Sequence, residues 1–536
     1  MEVFHAEDLT FAYPNSGRAL LDHISFSVEA GTINLICGKT GCGKSTLLKL
    51  LKHIIAPCGA VSGEITYCGE PINCTDYRRL VTEIGYVSQS PDAQIVTDRV
   101  SSELAFGLEN IGLPVDSIRR RVAETALYFG IGSWFDKEIA TLSGGQKQLL
   151  NLAAVLAMRP KVLILDEPTA QLDPIARENF LRTILRLNNE LGITIILCEH
   201  ELEMIFPAAD KVFLLDGGKL ACAATPVDTA AFLLDTDHTL KNALPACTRI
   251  CSGAQLSETP VLKNPQAIRL IEAACQGKAI SLPEQPAPAG KPVFTAREIT
   301  FRYEKNGADV LRNLSIKGFP NEILSIVGGN GAGKTTLLAV LSRARKPCTG
   351  KLSAANGATA LLPQNPRSLF VMQTVLEDLL FTAKSFGLDE NALYAAVAAS
   401  PFFGAIPALF SRNPLDLSGG ELQKLALCKL ILTNPAALLL DEPSKGLDAA
   451  AKTTLCALLK SLKADGRCIV LVTHDLEFSA LCSDRCAMLF HGEIISAGNP
   501  HAFFAQNQYY TTEANKLVQS IAPERITSDE VIAVCR

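Results

Sequence analysis

The nine residues Gly38-Lys39-Thr40-Gly41-Cys42-Gly43-Lys44-Ser45-Thr46 occur a second time, chemically rewritten, as Gly328-Gly329-Asn330-Gly331-Ala332-Gly333-Lys334-Thr335-Thr336. Both copies fit G-x-x-x-x-G-K-[ST] counted from Gly38 and Gly328, with an additional glycine at Gly41 and Gly331. Each follows a strand-like apolar run, Ile33 to Cys37 and Ile323 to Val327, and each opens a run with helical periodicity. That strand–loop–helix context is what the motif requires. Its glycines let backbone N–H groups turn inward around phosphate oxygens, and the helix N-terminus adds a partial positive charge. Lys44 and Lys334 are expected to reach the β/γ-phosphates as point charges, and Ser45 and Thr335 to offer hydroxyls to Mg²⁺. A chance glycine-rich turn does not explain two copies in matching contexts.

The repeat extends beyond the loops. Gln89 and Gln364, Ser143 and Ser418, and Asp166 and Asp441 each lie 275 residues apart, and His200 and His474 lie 274 apart. A period of this size in a 536-residue chain means a duplicated domain rather than one large core. The expected fold is α/β, with phosphate-loop domains over residues 1–234 and 293–500, a linker over 235–292 and a C-terminal tail over 501–536. Lys44 to Gln89 spans 45 residues and Lys334 to Gln364 only 30, so the second half has lost 15 residues from its hairpin region. Val3 to Tyr13 alternates loosely and reads as a strand ending in the Pro14-Asn15-Ser16-Gly17 turn. The linker reads as less regular, and its Leu282 to Pro292 stretch is proline-rich and semi-extended.

Bulk properties narrow the partners. A net charge of −5 and a pI near 6.0 give no electrostatic reason to expect nucleic acid. The N-terminus is polar and acidic, unlike a secretory signal. Asn391 to Ser411 carries no charge, but Pro401, Gly404 and Pro407 interrupt it. A spanning helix needs about 20 strongly apolar residues, so this stretch reads as buried helix and loop, and any membrane work needs a partner. Seventeen cysteines are scattered without a C-x-x-C. Cys247/Cys251 and Cys482/Cys486 have the spacing of one helical turn and read as small core residues rather than metal pairs.

Apolar runs ending in Asp166-Glu167 and Asp441-Glu442 place two carboxylates at the end of a buried parallel strand beside each phosphate loop. Asp166 and Asp441 suit Mg²⁺, directly or through water, and Glu167 and Glu442 suit a general base that polarises attacking water.

Leu-Ser-Gly-Gly followed by Gln146 or Glu421 is the most specific signal in the chain, and with the motifs above it resembles the ABC-type ATPases over nearly all of both halves. The resemblance implies a mixed-sheet core, an antiparallel β subdomain and a helical subdomain in each half, with ATP and Mg²⁺ as ligands. It also implies that Ser143 and Gly145, with Ser418 and Gly420, act on nucleotide held by the opposite half, so that the two halves form composite sites. Tyr13 and Tyr303 match the adenine-stacking aromatic, Gln89 and Gln364 the glutamine that senses Mg²⁺ and water, and His200 and His474 the γ-phosphate switch histidine. Glu421, Glu199 and Thr473 depart from strict symmetry between the halves. A carboxylate at Glu421 is expected to weaken ATP binding at the Lys44 site unless it points away or pairs.

Tyr86 to Thr97 and Glu103 to Asn110 are similar to the ATPases of energy-coupling-factor importers, and Glu199-His200-Glu201-Leu202-Glu203 to their fused two-copy form. That likeness implies an ATPase on the cytoplasmic face of the membrane. Its partners are a transmembrane coupling subunit and a substrate-binding membrane subunit, and its cargo a vitamin or transition-metal ion. Docking is expected around Gln94 to Val100 and Phe370 to Val375. The rival expectation is a soluble twin ATPase acting on ribosomes or DNA. Against it stand a near-neutral linker in place of a charged helical hairpin, and no cysteine before Cys37.

Overall fold

The computed structural model describes residues 1–14, 17–275, 290–354, 359–398 and 400–536. Asn15 and Ser16 of the expected turn, and Leu282 to Ala289 of the proline-rich stretch, lie outside the described residues. The chain divides into two compact units, Met1–Thr248 and Arg249–Arg536.

In the first unit the strand Glu2–Ala12 pairs antiparallel with Leu21–Glu29 and Ala60–Tyr67, and Glu70–Pro71 completes a four-stranded sheet. The loose alternation of Glu2–Ala12 has a physical cause. Phe4 and Ala6 face the core, the register shifts, and Leu9 and Phe11 resume on the same buried face. Asp8 sits in the shift with φ at 52°, the left-handed backbone of a bulge. The second unit repeats the device: Phe294–Phe301 shifts register between Ala296 and Ile299, with Glu298 at φ 52°.

Each unit's central layer is a six-stranded sheet with five parallel strands and one antiparallel edge. Its order in the first unit is Lys219–Ala224, Lys211–Asp216, Ile33–Gly38, Thr194–Cys198, Val162–Asp166, Ile84–Val87. In the second it is Glu493–Gly498, Arg485–Phe490, Glu322–Val327, Cys468–Thr473, Ala437–Asp441, Thr359–Leu362. Four of the parallel strands of the first unit are near-continuous apolar runs because helices or the antiparallel sheet cover both faces. A helical layer completes each unit. In the first, Val100–Asn110, Val115–Tyr128 and Gly144–Ala157 close over Leu104, Leu108, Trp134 and Leu150. In the second, Val375–Ser385, Glu390–Ala398 and Gly419–Leu432 close over Leu379, Leu393, Phe402 and Leu425.

The shorter second half differs where the first carries the strand Glu70–Pro71 and the helix Tyr77–Glu83. Its antiparallel sheet has three strands, and Thr349–Ala354 is soon followed by Thr359–Leu362. The stretch that reads as an irregular linker holds helices at Ala246–Gly253 and Asn264–Cys275. Asn264–Cys275 packs on the C-terminal helices Glu513–Val518 and Ser528–Cys535, and Phe503, Phe504 and Ile526 share a core with Val327 and Leu476. Apolar residues at helical spacing in these segments are thus core. The uncharged stretch after Asn391 folds as Glu390–Ala398 and Pro401–Leu409, bent by 105°, with Leu393, Val397, Phe402, Phe403 and Ile406 buried. Among the described residues no single helix is long and apolar enough to cross a membrane. All seventeen cysteines are free thiols.

Candidate nucleotide-binding sites

Parallel strands place all their C-terminal ends at one edge of the sheet, and the phosphate loop, the acidic pair, the histidine and the glutamine all follow strands ending at that edge. In the first unit Ile33–Gly38 leads into the phosphate loop, and its neighbour Thr194–Cys198 leads into Glu199-His200. The next strand ends in Asp166-Glu167, and the edge strand Ile84–Val87 runs towards Gln89. The second unit assembles Lys334, His474, Asp441-Glu442 and Gln364 in the same way.

The phosphate loops need glycine at two places. Gly43 and Gly333, which cap the helices Lys44–Leu51 and Lys334–Leu341, have φ of 104° and 103°. A Cβ on Gly38 would lie 2.5 Å from the Leu215 carbonyl oxygen, and one on Gly328 would lie 2.3 Å from that of Leu489. Each lysine closes its loop into a ring. Lys44 Nζ donates to the carbonyls of Gly38 at 2.9 Å and Lys39 at 3.1 Å, and Lys334 Nζ to those of Gly328 at 2.9 Å and Gly329 at 3.0 Å. Thr40, Gly41 and Cys42, like Asn330, Gly331 and Ala332, form the turn between.

Two half-exposed tyrosines stand beside the loops. Tyr13 hydroxyl contacts Thr46 Oγ1 at 3.1 Å and Tyr303 hydroxyl contacts Thr336 Oγ1 at 3.0 Å, while their rings meet Phe11 and Phe301 edge-on. The hydroxyl bond and the edge contact fix each ring, and 41% and 60% exposure leaves aromatic surface open.

The acidic pairs are built unequally. Ser45 Oγ donates to Asp166 Oδ1 at 2.8 Å, Cys198 Sγ to the same oxygen at 3.1 Å, and Tyr86 hydroxyl to Oδ2 at 3.0 Å. The Thr335 hydroxyl lies beside Asp441, whose Oδ2 is buried without a hydrogen-bond partner. Burial pushes the Asp441 carboxyl up to about 6, in spite of the Thr335 hydroxyl and the Lys334 ammonium. A buried carboxylate oxygen without a protein donor, beside a hydroxyl, suits a hard divalent cation. The Thr335–Asp441 set therefore fits Mg²⁺, and Ser45–Asp166 is the same hydroxyl–carboxylate pair in the first unit, with its carboxylate already hydrogen-bonded.

Glu167 and Glu442 occupy the left-handed backbone region, with φ of 43° and 53°. A non-glycine residue there is strained, and its recurrence at both strand-to-loop exits marks a positioned side chain. His200 Nε2 lies 2.9 Å from Glu167 Oε1, and Gln89 Nε2 donates to Glu167 Oε2 at 2.8 Å. His474 Nδ1 lies 2.8 Å from Glu442 Oε1, and Thr473 Oγ1 donates to Glu442 Oε2 at 3.1 Å. Burial raises both glutamates, but the adjacent histidine and phosphate-loop lysine outweigh it and hold each below its ordinary value. Gln364 is exposed just past Thr359–Leu362. Glu199, the counterpart of Thr473, is buried and accepts from the Thr169 N–H at 3.0 Å; burial pushes its carboxyl up to about 7.

Ser143 and Ser418 cap the helices Gly144–Ala157 and Gly419–Leu432 in capping boxes, with Gly145 and Gly420 in the first turns. Glu421 Oε2 accepts from both the N–H of Ser418, at 2.9 Å, and its hydroxyl, at 2.7 Å. The Glu421 carboxylate thus completes the capping box of its own helix, hydrogen-bonded to the N-cap Ser418 rather than left free.

Neither Tyr86, which enters above only within the importer-like stretch Tyr86 to Thr97, nor Cys198 is marked by the motifs as a support of Asp166. The signal that would have found them is a polar side chain inside an otherwise apolar buried strand ending in a motif. The left-handed glutamates carry no signal in residue type.

A family model described as ABC transporter matches residues 21–170 and 311–445. An ABC transporter ATP-binding protein of Bacillus cereus is 37% identical, over 99% of this chain and 98% of its own length. A Streptomyces coelicolor protein of the same description is 32% identical over 96% of each. A solved RNase-L inhibitor structure, 21% identical, matches 96% of this chain and 93% of its own with a TM-score of 0.59, a likeness of fold alone. Two family matches at the two halves of one duplicated sequence, and relatives aligned end to end, make this chain a member of the ABC transporter family, an ATP-binding protein built from two ABC ATPase domains.

Proposed function

We propose that this chain is the ATP-hydrolysing subunit of an energy-coupling-factor type importer. It would sit on the cytoplasmic face of the membrane against a transmembrane coupling subunit, with a separate membrane subunit that captures a vitamin or a transition-metal ion. In this reading Lys44 and Lys334 hold the β/γ-phosphates, Tyr13 and Tyr303 stack on adenine, and Ser143 and Ser418 contribute signature hydroxyls. Mg²⁺, when bound at Ser45–Asp166 and Thr335–Asp441, neutralises charge developing on the phosphates. Glu167 and Glu442 accept the proton of attacking water, and His200 and His474 hold those carboxylates in place.

One observation carries the importer reading. The buried carboxylate of Glu103 accepts from the N–H groups of Val96 at 3.2 Å and Thr97 at 2.8 Å. Asp378, 275 residues on, accepts from Val371 at 2.8 Å and Met372 at 3.1 Å. Each anchors a loop on which a valine stands exposed, Val96 at 66% and Val371 at 70%. Phe106 and Phe381, one helical turn beyond the two carboxylates, are exposed as well. Apolar side chains held outward at equivalent positions of both units suit apolar helices of a membrane subunit. Gln94 ties the first loop back to the sheet, accepting from Ser88 N–H and donating to the Tyr86 carbonyl, both at 2.8 Å. A change at the nucleotide edge therefore has a rigid route to this surface.

Ile95 and Phe370 pack against the helical-layer cores, so Val96 and Val371 are the better probes of docking. Val96→Asp with Val371→Asp should abolish co-purification with membrane proteins and leave ATP binding intact. Unchanged assembly would reject the importer reading, and ribosomal proteins captured instead would favour a soluble twin ATPase.

A further inference from the structure

The strands that flank the acidic strand are in the same register in both units, so their residues compare one to one. Tyr86 pairs with Ile164, and Leu361 pairs with Leu439, two residues before each aspartate. Cys198 pairs with Asp166, and Val472 pairs with Asp441. Where the first unit places a phenol and a thiol on its carboxylate, the second places leucine and valine. As a result Asp166 has protein donors on both oxygens, and Asp441 Oδ2 is buried without one.

We propose that Tyr86 and Cys198 are positioning residues that make the two cation carboxylates unequal, so that a nucleotide-associated divalent cation binds more tightly at Asp441 than at Asp166. The inference rests on Asp166 and Asp441 being the cation carboxylates. The reason is electrostatic. Hydrogen bonds to a carboxylate compensate part of its charge, and a cation must share or displace them. A buried oxygen with no donor carries its charge uncompensated, and a cation supplies what the protein does not. Ser45 and Thr335 hold the same place in the two phosphate loops, so a hydroxyl stands beside each carboxylate.

The test is a Mn²⁺ titration followed by electron paramagnetic resonance, on the full chain saturated with a non-hydrolysable ATP analogue. The wild type should show two classes of bound Mn²⁺ whose affinities differ by about tenfold, the scale of a hydrogen bond to a charged group. Tyr86→Phe should move the weaker class toward the tighter one and leave the tighter class unchanged. Binding of the analogue in the presence of a chelator should not change, which separates positioning from a general loss of structure. Leu361→Tyr, made in the other unit, should weaken the tighter class. Asp441→Asn should remove the tighter class. Equal classes in the wild type, no shift in Tyr86→Phe, or loss of the weaker class in Asp441→Asn would each overturn the proposal. If neither Asp441→Asn nor Asp166→Asn removes a class, the carboxylate assignment itself fails, whatever Tyr86 does.

Discussion

His200 touches Glu167 directly, Nε2 to Oε1 at 2.9 Å, and the pair recurs as His474 and Glu442 through Nδ1 at 2.8 Å. The histidine reaches its glutamate from the neighbouring strand, so one rigid sheet sets both groups. Glu167→Gln and Glu442→Gln should each lower turnover at their own site by about 10²–10⁴-fold, the usual contribution of a general base. Single-turnover hydrolysis in the two single mutants and the double mutant checks this. Retained turnover in the double mutant would remove both glutamates from the chemistry.

Glu421 is engaged by Ser418 through two hydrogen bonds, so its charge is directed into its own helix. Glu421→Gln keeps a capping side chain and should leave ATP affinity unchanged at both sites. Glu421→Ala loses the reciprocal half of the capping box but keeps Ser418 as N-cap, and should cost less than the about 1 kcal/mol typical of losing an N-cap residue. Nucleotide titrations and thermal unfolding of the two variants distinguish the roles; tighter ATP binding in Glu421→Gln would restore repulsion as the explanation.

Glu199 gives the first unit a pH-dependent stability. Its carboxyl is pushed up to about 7 in the fold from an ordinary value of 4.5. Below pH 4.5 both states hold the proton and burial carries no charge penalty. Between 4.5 and 7 the unfolded chain releases its proton first, so stability falls as pH rises, by at most about 3 kcal/mol. Glu199→Gln should flatten calorimetric stability across that window and raise it at pH 8. An unchanged pH profile would show that Glu199 does not titrate this way.

Lys429 gives Asp378 an ion-pair partner that its counterpart Glu103 lacks among the described residues. Its ammonium meets the fully buried Asp378, which anchors the Val371 loop, whereas the matching position in the first unit is Ala154. Lys429→Met leaves that carboxylate unpaired and should destabilise the second unit by about 3–5 kcal/mol. Hydrogen exchange should report the loss first at the N–H groups of Val371 and Met372. Protection equal to wild type there would show that Asp378 does not need the lysine.

What the sequence by itself determined was the repeat and its chemistry. The phosphate loops are contiguous and need glycine for local backbone reasons, as Gly43 and Gly333 show, so residue type alone identifies them. Asp166 and Asp441 are legible because each ends a continuous apolar strand. The support around them is not local: Tyr86 and Cys198 reach Asp166 from two different strands, and only the sheet register brings the three together. Ser418-x-x-Glu421 allows either a helix-capping side chain or a charge turned to the nucleotide, and the hydrogen bonds to Ser418 show the capping arrangement. Only the tertiary structure decided that Ile95 turns inward and Val96 outward, because the Glu103 carboxylate fixes that loop from the following helix. Contiguous motifs follow from backbone sterics and are written in residue order; the inequality of the two sites follows from burial and cross-strand contacts, which residue order does not contain.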